Sequence, residues 1–339
     1  MIKKPLLSVI MPVYNEAKYI REAIDSVLKQ SMVFYDFYII DDASTDDTVK
    51  IIESYNDHRI RLIKKEKNSG YTQSLNQALD LVDTKYVARM DGDDICDPDR
   101  FKCQIQFLEA NLDYILCGTQ FHRVDGKPAH VLPEKDENIK SMLLRGNQFI
   151  HPSVMMRSSI LKKNRLKYDV LKEPAEDYDL WVRLMPFGKF KNLGIKLLHY
   201  RYHDKQISAR SFNLQKSHDH HTRLMFLNKL GIQLGAGLEK LLEQIYSPSL
   251  ELNWHQASDL KRFCIELKSS NYKKYFGTKE LNELISGIEL DFIRRCRRSS
   301  HSSGFLDYMA YLRQKIKFGL KMHWKQEIKF LLNSFNLNA

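Results

Sequence analysis

Between Leu6 and Leu108 the chain alternates two hydrophobic periods, and this alternation limits the possible folds more than any other feature. Leu6 to Met11 is a continuous apolar run, as in a strand buried on both faces. Ala17, Ile20, Ala23, Ile24, Val27 and Leu28 follow at helical spacing. Phe37–Ile40, Ile60–Ile63 and Tyr86–Met90 read as three further short strands. Between them lie a helix through Val49, Ile51 and Ile52, with Ser44 as N-cap and Asp47 three residues on, and a helix through Leu75, Ala78, Leu79 and Val82. Asp97-Pro98 opens another, with Phe101, Ile105 and Leu108 inward. Strand and helix in this order predict βαβ units, hence an α/β fold with a mostly parallel, Rossmann-like sheet flanked by helices.

The pattern changes further along. Residues 121–208 are mixed, with a strand over Ser153–Met156 and a helix over Asp177–Met185. Beyond Ser211 helix follows helix: Thr222–Leu230, Ala236–Tyr246, His255–Leu267, Lys279–Arg297 and Phe305–Phe318. The expected organisation is a catalytic domain over residues 1–210 and a basic, mainly helical region over 211–339. The charge divides with it. From Arg210 onward 21 Lys and Arg face 12 Asp and Glu, a balance of +9 out of the chain's +11. Such a region suits an anionic partner surface.

No apolar run is long enough to span a bilayer. Lys3 and Lys4 before the first apolar run imitate a signal peptide, but Asn15 and Glu16 interrupt it and no small-residue cleavage site follows. A buried strand is the expectation, a signal peptide the alternative. The five cysteines are widely spaced, with no C-x-x-C pair, which fits a reducing cytoplasm.

Parallel sheets bind ligands beyond the carboxyl ends of their strands, and the polar residues of this chain fall there. The first strand runs into Pro12-Val13-Tyr14-Asn15-Glu16, the second into Asp41-Asp42-Ala43-Ser44-Thr45-Asp46, and the fourth into Asp91-Gly92-Asp93-Asp94. Asp46 and Asp47 read as turn and cap residues. Asp91 and Asp93 flank a residue with no side chain, so both can approach a hard divalent cation, Mg²⁺ or Mn²⁺. Glu176, Asp177 and Asp179 stand where a helix begins. They are either acids favoured by the helix dipole or, for Glu176–Asp177, a general base for a hydroxyl. Of His151, His199 and His203, the last is the functional candidate, for a diphosphate or a metal. His218, His220 and His221 read as solvated.

Together these segments resemble the family 2 glycosyltransferases, inverting enzymes of the glycosyltransferase-A fold. The likeness covers Leu6 to Ser208. It rests on Ser8–Glu16, Ile40–Asp46, Asn68-Ser69-Gly70 with Asn76, Met90–Asp94, Glu176–Trp181 and Tyr200–His203, in the family's order. The resemblance implies transfer of a sugar from a nucleotide-diphosphate donor to a saccharide or lipid-linked acceptor, in bacterial surface polysaccharide or glycolipid synthesis. It places Pro12 and Tyr14 beside the nucleotide base, usually uracil. Asn15, Glu16, Asn68, Gly70 and His203 join the donor site, and Asp42 accepts from the base. Asp91 lies near ribose and metal, Asp93 ligates the metal, and Asp177 is the base with Glu176 beside it. Ala43 stands where many members have Gly, and the basic tail matches no family feature. A catalytically silent binding protein and a sugar-nucleotide nucleotidyltransferase are the alternatives. The intact carboxylates speak against the first, and the lack of a Gly-rich, basic loop between Met11 and Glu16 speaks against the second.

The tail has its own pattern. Arg294, Arg295, Arg297 and Arg298 close a helix carrying Leu284, Ile285, Ile288, Leu290 and Ile293. Lys315, Lys317, Lys321, Lys325 and Lys329 accompany Phe318, Leu320, Trp324 and Phe330. Such helices suit peripheral contact with the anionic inner face of a membrane. A helical lid with a solvated basic face is the alternative. No nucleic-acid motif occurs, so nucleic acid is not an expected partner.

Overall fold

The structure, a computed structural model, describes residues 5–32, 34–203, 206, 211–299, 304–319, 327 and 330–331. It divides into two compact units, one of Met1–Ile139 with Asn147–His218, the other of Lys140–Gly146 with Asp219–Ala339. Among the described residues no helix is long and apolar enough to cross a membrane.

The first unit is built on one eight-stranded sheet. Its strands are β1 (Leu7–Val13), β2 (Tyr35–Asp41), β3 (Ile60–Lys64), β4 (Tyr86–Arg89), β5 (Ile95–Cys96), β6 (Tyr114–Arg123), β7 (Met155–Arg157) and β8 (Lys189–Tyr200), in the order β3-β2-β1-β4-β7-β6-β8-β5. The first four are parallel to one another, β7 runs against β4 and β6, and β6 and β8 pair in parallel. Every residue of β1 is buried, as in a central parallel strand with both faces covered, which explains its largely apolar run; the one hydroxyl in it, Ser8, is paired with Thr84 at 2.9 Å. Pro12 is tolerated in this central strand for a specific reason. Pairing with β4 ends at Ile10, and the neighbouring Val13 carbonyl accepts from Asp42 on the β2 side, so the missing Pro12 N–H would face no strand.

The helices of this unit are α1 (Ile20–Leu28), α2 (Thr48–Glu53), α3 (Tyr71–Leu81), α4 (Arg100–Ala110), α5 (Asp136–Met142, which crosses into the second unit), α6 (Ser158–Lys163) and α7 (Glu176–Leu184). Two helix starts differ from the sequence reading. Helix α2 opens at Thr48 rather than after Ser44, because the Ser44 hydroxyl accepts from the Asn15 N–H and Asp46 takes the Thr48 N–H instead. Helix α4 opens at Arg100, since Asp97 and Asp99 first form a turn in which the Arg100 N–H bonds the Asp97 carbonyl. Strands β6 and β8 have no counterpart in the sequence reading. Buried Thr119 and Gln120 in β6 mask it: the Thr119 hydroxyl donates to the Gln120 carbonyl, and the Gln120 amide is satisfied by the Leu132 backbone. All five cysteines are free, and only Cys103 is more than slightly exposed.

The second unit is helical: the end of α8 (Phe212–Lys229), then α9 (Ala236–Tyr246), α10 (Ala257–Ser269), α11 (Thr278–Ser299) and α12 (Gly304–Phe318). Leu238, Leu241, Leu260, Phe263, Leu284, Ile288 and Phe292 form its interior, with Trp254 edge-on to Phe292 at 6.2 Å. Arg145 forks onto Asp291 with bonds of 2.8 and 2.9 Å. Gly287 leaves room for it, since a Cβ there would lie 2.8 Å from the guanidinium.

This packing corrects the reading of the tail at three points. Leu284, Ile285, Ile288 and Ile293 are interior, so α11 does not present an apolar face outward. Arg295 is buried and donates to the carbonyls of Gln244, Ser247 and Leu250 at the end of α9, at 3.3, 2.9 and 2.6 Å. His220 is half-buried, and burial lowers its pKa, so it is not solvated as expected. Leu320, Lys321, Trp324, Lys325 and Lys329 lie outside the described residues.

Arg295→Ala removes one donor from three carbonyls, and we expect a loss of about 2–4 kcal/mol. The exposed Arg298→Ala should stay within about 0.5 kcal/mol of the parent. Urea unfolding midpoints check this, and equal midpoints would return Arg295 to the basic surface.

Candidate active site

The loops after β1 and β2 are stitched together. Asn15 N–H donates to the Ser44 hydroxyl at 2.9 Å, and Asn15 Oδ1 accepts from the Thr45 N–H at 2.8 Å. Glu16 N–H meets the Thr48 hydroxyl at 2.8 Å, and Ala17 N–H meets Asp46 at 3.1 Å. Burial alone would raise the Asp46 pKa, but the bonds from Thr48 and Ala17 outweigh it and lower the pKa. Asn15 and Ala43 both adopt left-handed backbone, φ 57° and 63°. Asn does so readily. For Ala it costs about 1–2 kcal/mol, which the cross-loop bonds offset. Tyr14 projects 44% exposed from the stitched rim, while Pro12 stays in the strand. Asp47 pairs with exposed Lys50.

Asp42 organises a third loop. Its buried carboxylate accepts from Lys65 Nζ at 2.9 Å, Ser69 N–H at 3.0 Å and Gly70 N–H at 2.9 Å. Asn68 Oδ1 shares the Gly70 N–H at 3.3 Å. Gly70 has φ +94°, and a Cβ there would also approach Glu173 Oε2 to 3.2 Å, so glycine serves twice. Asn76 is tied both ways to the Tyr168 backbone, a structural role.

Beyond β4, Asp91, Asp93 and Asp94 each bring one carboxylate oxygen within 4.8 Å of the others. Gly92 permits the turn, since its absent Cβ would lie 3.0 Å from Val13 and 3.3 Å from the Glu16 methylene. Arg89 pairs with Asp91. His203 Nε2 lies 2.8 Å from Asp93 Oδ2, with its ring against Tyr19. Arg201 fastens the end of β8 to this turn. Its N–H bonds Asp94 Oδ1 and its Nε the Asp93 carbonyl, both at 2.8 Å. Burial lifts the Asp91 pKa to about 6, with Arg89 opposing and Asp93 adding. Burial, then Asp93 and Asp91, pushes Asp94 well above the ordinary carboxylate range. Asp94 Oδ2 is buried without a hydrogen-bond partner among the described residues. Three converging oxygen donors with an orphaned lone pair fit a hard divalent cation such as Mg²⁺ or Mn²⁺.

A second acidic centre lies at the start of α7. Glu176 Oε2 accepts from the Tyr71 hydroxyl, and Oε1 stands 3.5 Å from His151 Nδ1. His151 Nε2 meets the Tyr168 hydroxyl at 2.9 Å. Burial, with Arg89 adding, holds the His151 pKa well below its usual value, so the ring is neutral. Burial, then Asp177, raises Glu176 to about 8, with the Tyr71 bond opposing. Asp177 Oδ2 accepts from Asn147 Nδ2 at 2.6 Å. Asp179 is paired within its helix to Arg183 at 2.7 Å.

The sequence reading thus assembles two groups, Asp91 and Asp93 with His203, and Glu176 with Asp177. It missed Asp94 as a third converging carboxylate, and Arg89, Tyr71, Asn147 and Tyr168 altogether. It treated His151 as an ordinary core or surface residue. Only Asp94, adjacent to Asp93, had a local signal.

Comparison with known proteins gives the same direction. Residues 8–165 match the model of the glycosyl transferase family 2. An uncharacterised glycosyltransferase of Methanocaldococcus jannaschii is 34% identical over 230 residues, 65% of this chain and 78% of the relative. The chondroitin synthase of Escherichia coli is 27% identical over 251 residues, 74% of this chain but 35% of that longer protein. Among solved structures, S. aureus TarS in complex with UDP-GlcNAc superposes with a TM-score of 0.57 at 20% identity, over 93% of this chain and 89% of that one, which is a likeness of fold.

Proposed function

The chain belongs to glycosyltransferase family 2, and we propose that it moves a sugar from a uridine diphosphate donor to an acceptor hydroxyl with inversion at the anomeric carbon. The observation that carries this reading is the pairing of two carboxylate centres of different character, three convergent acids after β4 and the Glu176–Asp177 pair on α7. The likeness to a chondroitin synthase and to a fold neighbour in complex with UDP-GlcNAc supports the donor and acceptor class.

In this reading residues 1–210 form the catalytic domain. Pro12 and Tyr14 flank the uracil, and the stitched Asn15 and Glu16 hold that edge of the donor site. Asp42 Oδ2 accepts from Gly70 alone among the described residues, so it retains lone-pair capacity for the uracil N3–H. Asn68 and Gly70 complete the pocket edge. Asp91 and Asp93 would hold Mg²⁺ or Mn²⁺, which supplies neutralisation of the charge on the departing diphosphate. His203 fixes the rotamer of Asp93 through its 2.8 Å bond. The acceptor oxygen attacks the anomeric carbon as the bond to the diphosphate oxygen breaks, and Asp177 takes the hydroxyl proton. Glu176, held by Tyr71 and near His151, stands beside it.

We assign the helical region 211–339 to peripheral contact with an anionic membrane at its cytoplasmic face, where a lipid-linked acceptor would be found. The support is the outer face of α10, where Lys261, Arg262 and Lys268 surround Ile265, 58% exposed, and Ile316 on α12, 86% exposed. Each basic group near such a surface contributes about 1 kcal/mol.

Asp177→Asn should lower turnover by about 10²–10⁴ with UDP affinity by calorimetry unchanged. Retained turnover, or lost UDP affinity, removes the base assignment. Asp93→Ala should abolish Mn²⁺-dependent transfer, and full activity of that variant in a chelator would remove the metal from the reading. For the membrane, the full chain should pellet with anionic vesicles at low salt, and a Lys261→Glu, Arg262→Glu, Lys268→Glu variant should not. Equal pelleting of the two would exclude α10 as the contact.

A further inference from the structure

We infer that Asn147 is the positioning residue that makes Asp177, and not the adjacent Glu176, the proton acceptor; this rests on the transfer reaction proposed above. Two neighbouring carboxylates in one buried site cannot both ionise cheaply, so their surroundings decide which one carries the charge.

The groups facing the pair come from four elements. Tyr71 from α3 and His151 from the segment before β7 engage Glu176, with the Tyr168 hydroxyl behind the imidazole. Arg89 from β4 is engaged by Asp91. Asp177 lies 4.0 Å from the neutral His151 ring, takes the Tyr178 N–H on Oδ1 at 2.6 Å from its own helix, and receives the Asn147 side-chain amide on Oδ2 at 2.6 Å. The side chains that touch Glu176 are therefore neutral and can serve either protonation state, and apart from its own backbone N–H no fixed donor is seen on it among the described residues. A hydroxyl or an imidazole can reverse its role by rotating or changing tautomer. The NH₂ of an amide cannot, because it only donates.

Asn147 is also held in one orientation. Its Oδ1 accepts from the Phe149 N–H at 3.1 Å, which turns the NH₂ toward Asp177. Phe149 in turn is buried edge-on to Trp181 of α7 at 5.7 Å and to Phe190 of β8 at 6.0 Å. The lack of a side chain at Gly118 makes room for that ring, since a Cβ would come within 2.7 Å of it. Although Asn147 itself is exposed, its amide is thus fixed from the core and from the same helix that carries Asp177. A fixed donor favours the charged form of its acceptor. The raised pKa of Glu176 agrees with a division in which the proton stays on Glu176 and the charge on Asp177.

The test is the pH profile of sugar transfer by the full chain. Removing the amide in Asn147→Ala should move the acid limb of kcat/KM upward by about one pH unit, from the strength of one charge-assisted bond. Activity should return toward the parent at alkaline pH, with the affinity for UDP unchanged. Asn147→Asp should move the limb further in the same direction by adding a like charge. Asn147→Ser, which keeps a small donor, should give a smaller shift and serves if the alanine variant does not fold. A uniform fall at every pH, with the limb in place, would mean a structural role only and overturns the inference. Asp177→Asn, measured alongside, separates the two levels. If it stays active, the base assignment itself fails. If it is inactive while Asn147→Ala keeps the parent profile, this inference alone fails.

Discussion

One buried cation, Arg89, bears on both acidic centres of the rim. It ends β4, in the middle of the sheet between β1 and β7, and its side chain is nearly inaccessible. Burying a guanidinium costs several kcal/mol unless it is paired, and the pairing with Asp91 supplies that partner. Its field also reaches His151, where it adds to burial in lowering the pKa, and Glu176, where it opposes the rise that burial and Asp177 cause. A single charge placed by strand order therefore touches both acidic centres. The carboxylates nearby can be as crowded as they are because the sheet has already committed a positive charge beneath them.

How far the sequence revealed this depends on the range of each interaction. Strand β1 was legible because burial on both sides leaves an almost wholly apolar segment, with Ser8 its one polar side chain. The Asp91-Gly92-Asp93 turn was legible because its chemistry is contained in three consecutive residues. Strands β6 and β8 were not, because their buried polar residues are satisfied by distant backbone, as Gln120 is by Leu132. The surroundings of Glu176 and Asp177 were equally hidden. Tyr71 is 105 residues from Glu176, and Asn147 is 30 from Asp177. No local pattern announces such contacts.

The basic tail shows the opposite failure. A run of arginines looks like surface, and two of the four, Arg294 and Arg298, are exposed. Arg295 faces inward because α9 ends with carbonyls that need donors. Arg297 lies over the Phe330 ring at 4.1 Å. Composition counts charges but does not say which side of a helix they occupy, and the second unit divides one cluster between interior and solvent.

The cysteines carry a consequence of another kind. Cys96 and Cys117 are buried in the first unit, Cys264 and Cys296 in the second, and burial raises the pKa of Cys96, Cys117 and Cys264. A thiol protonated and shielded in this way reacts only when its surroundings open. The molecule therefore carries two pairs of native probes, one pair per unit. The labelling rates of the two pairs by a small alkylating reagent would report separately how often each unit breathes, with Cys103 as the accessible internal standard.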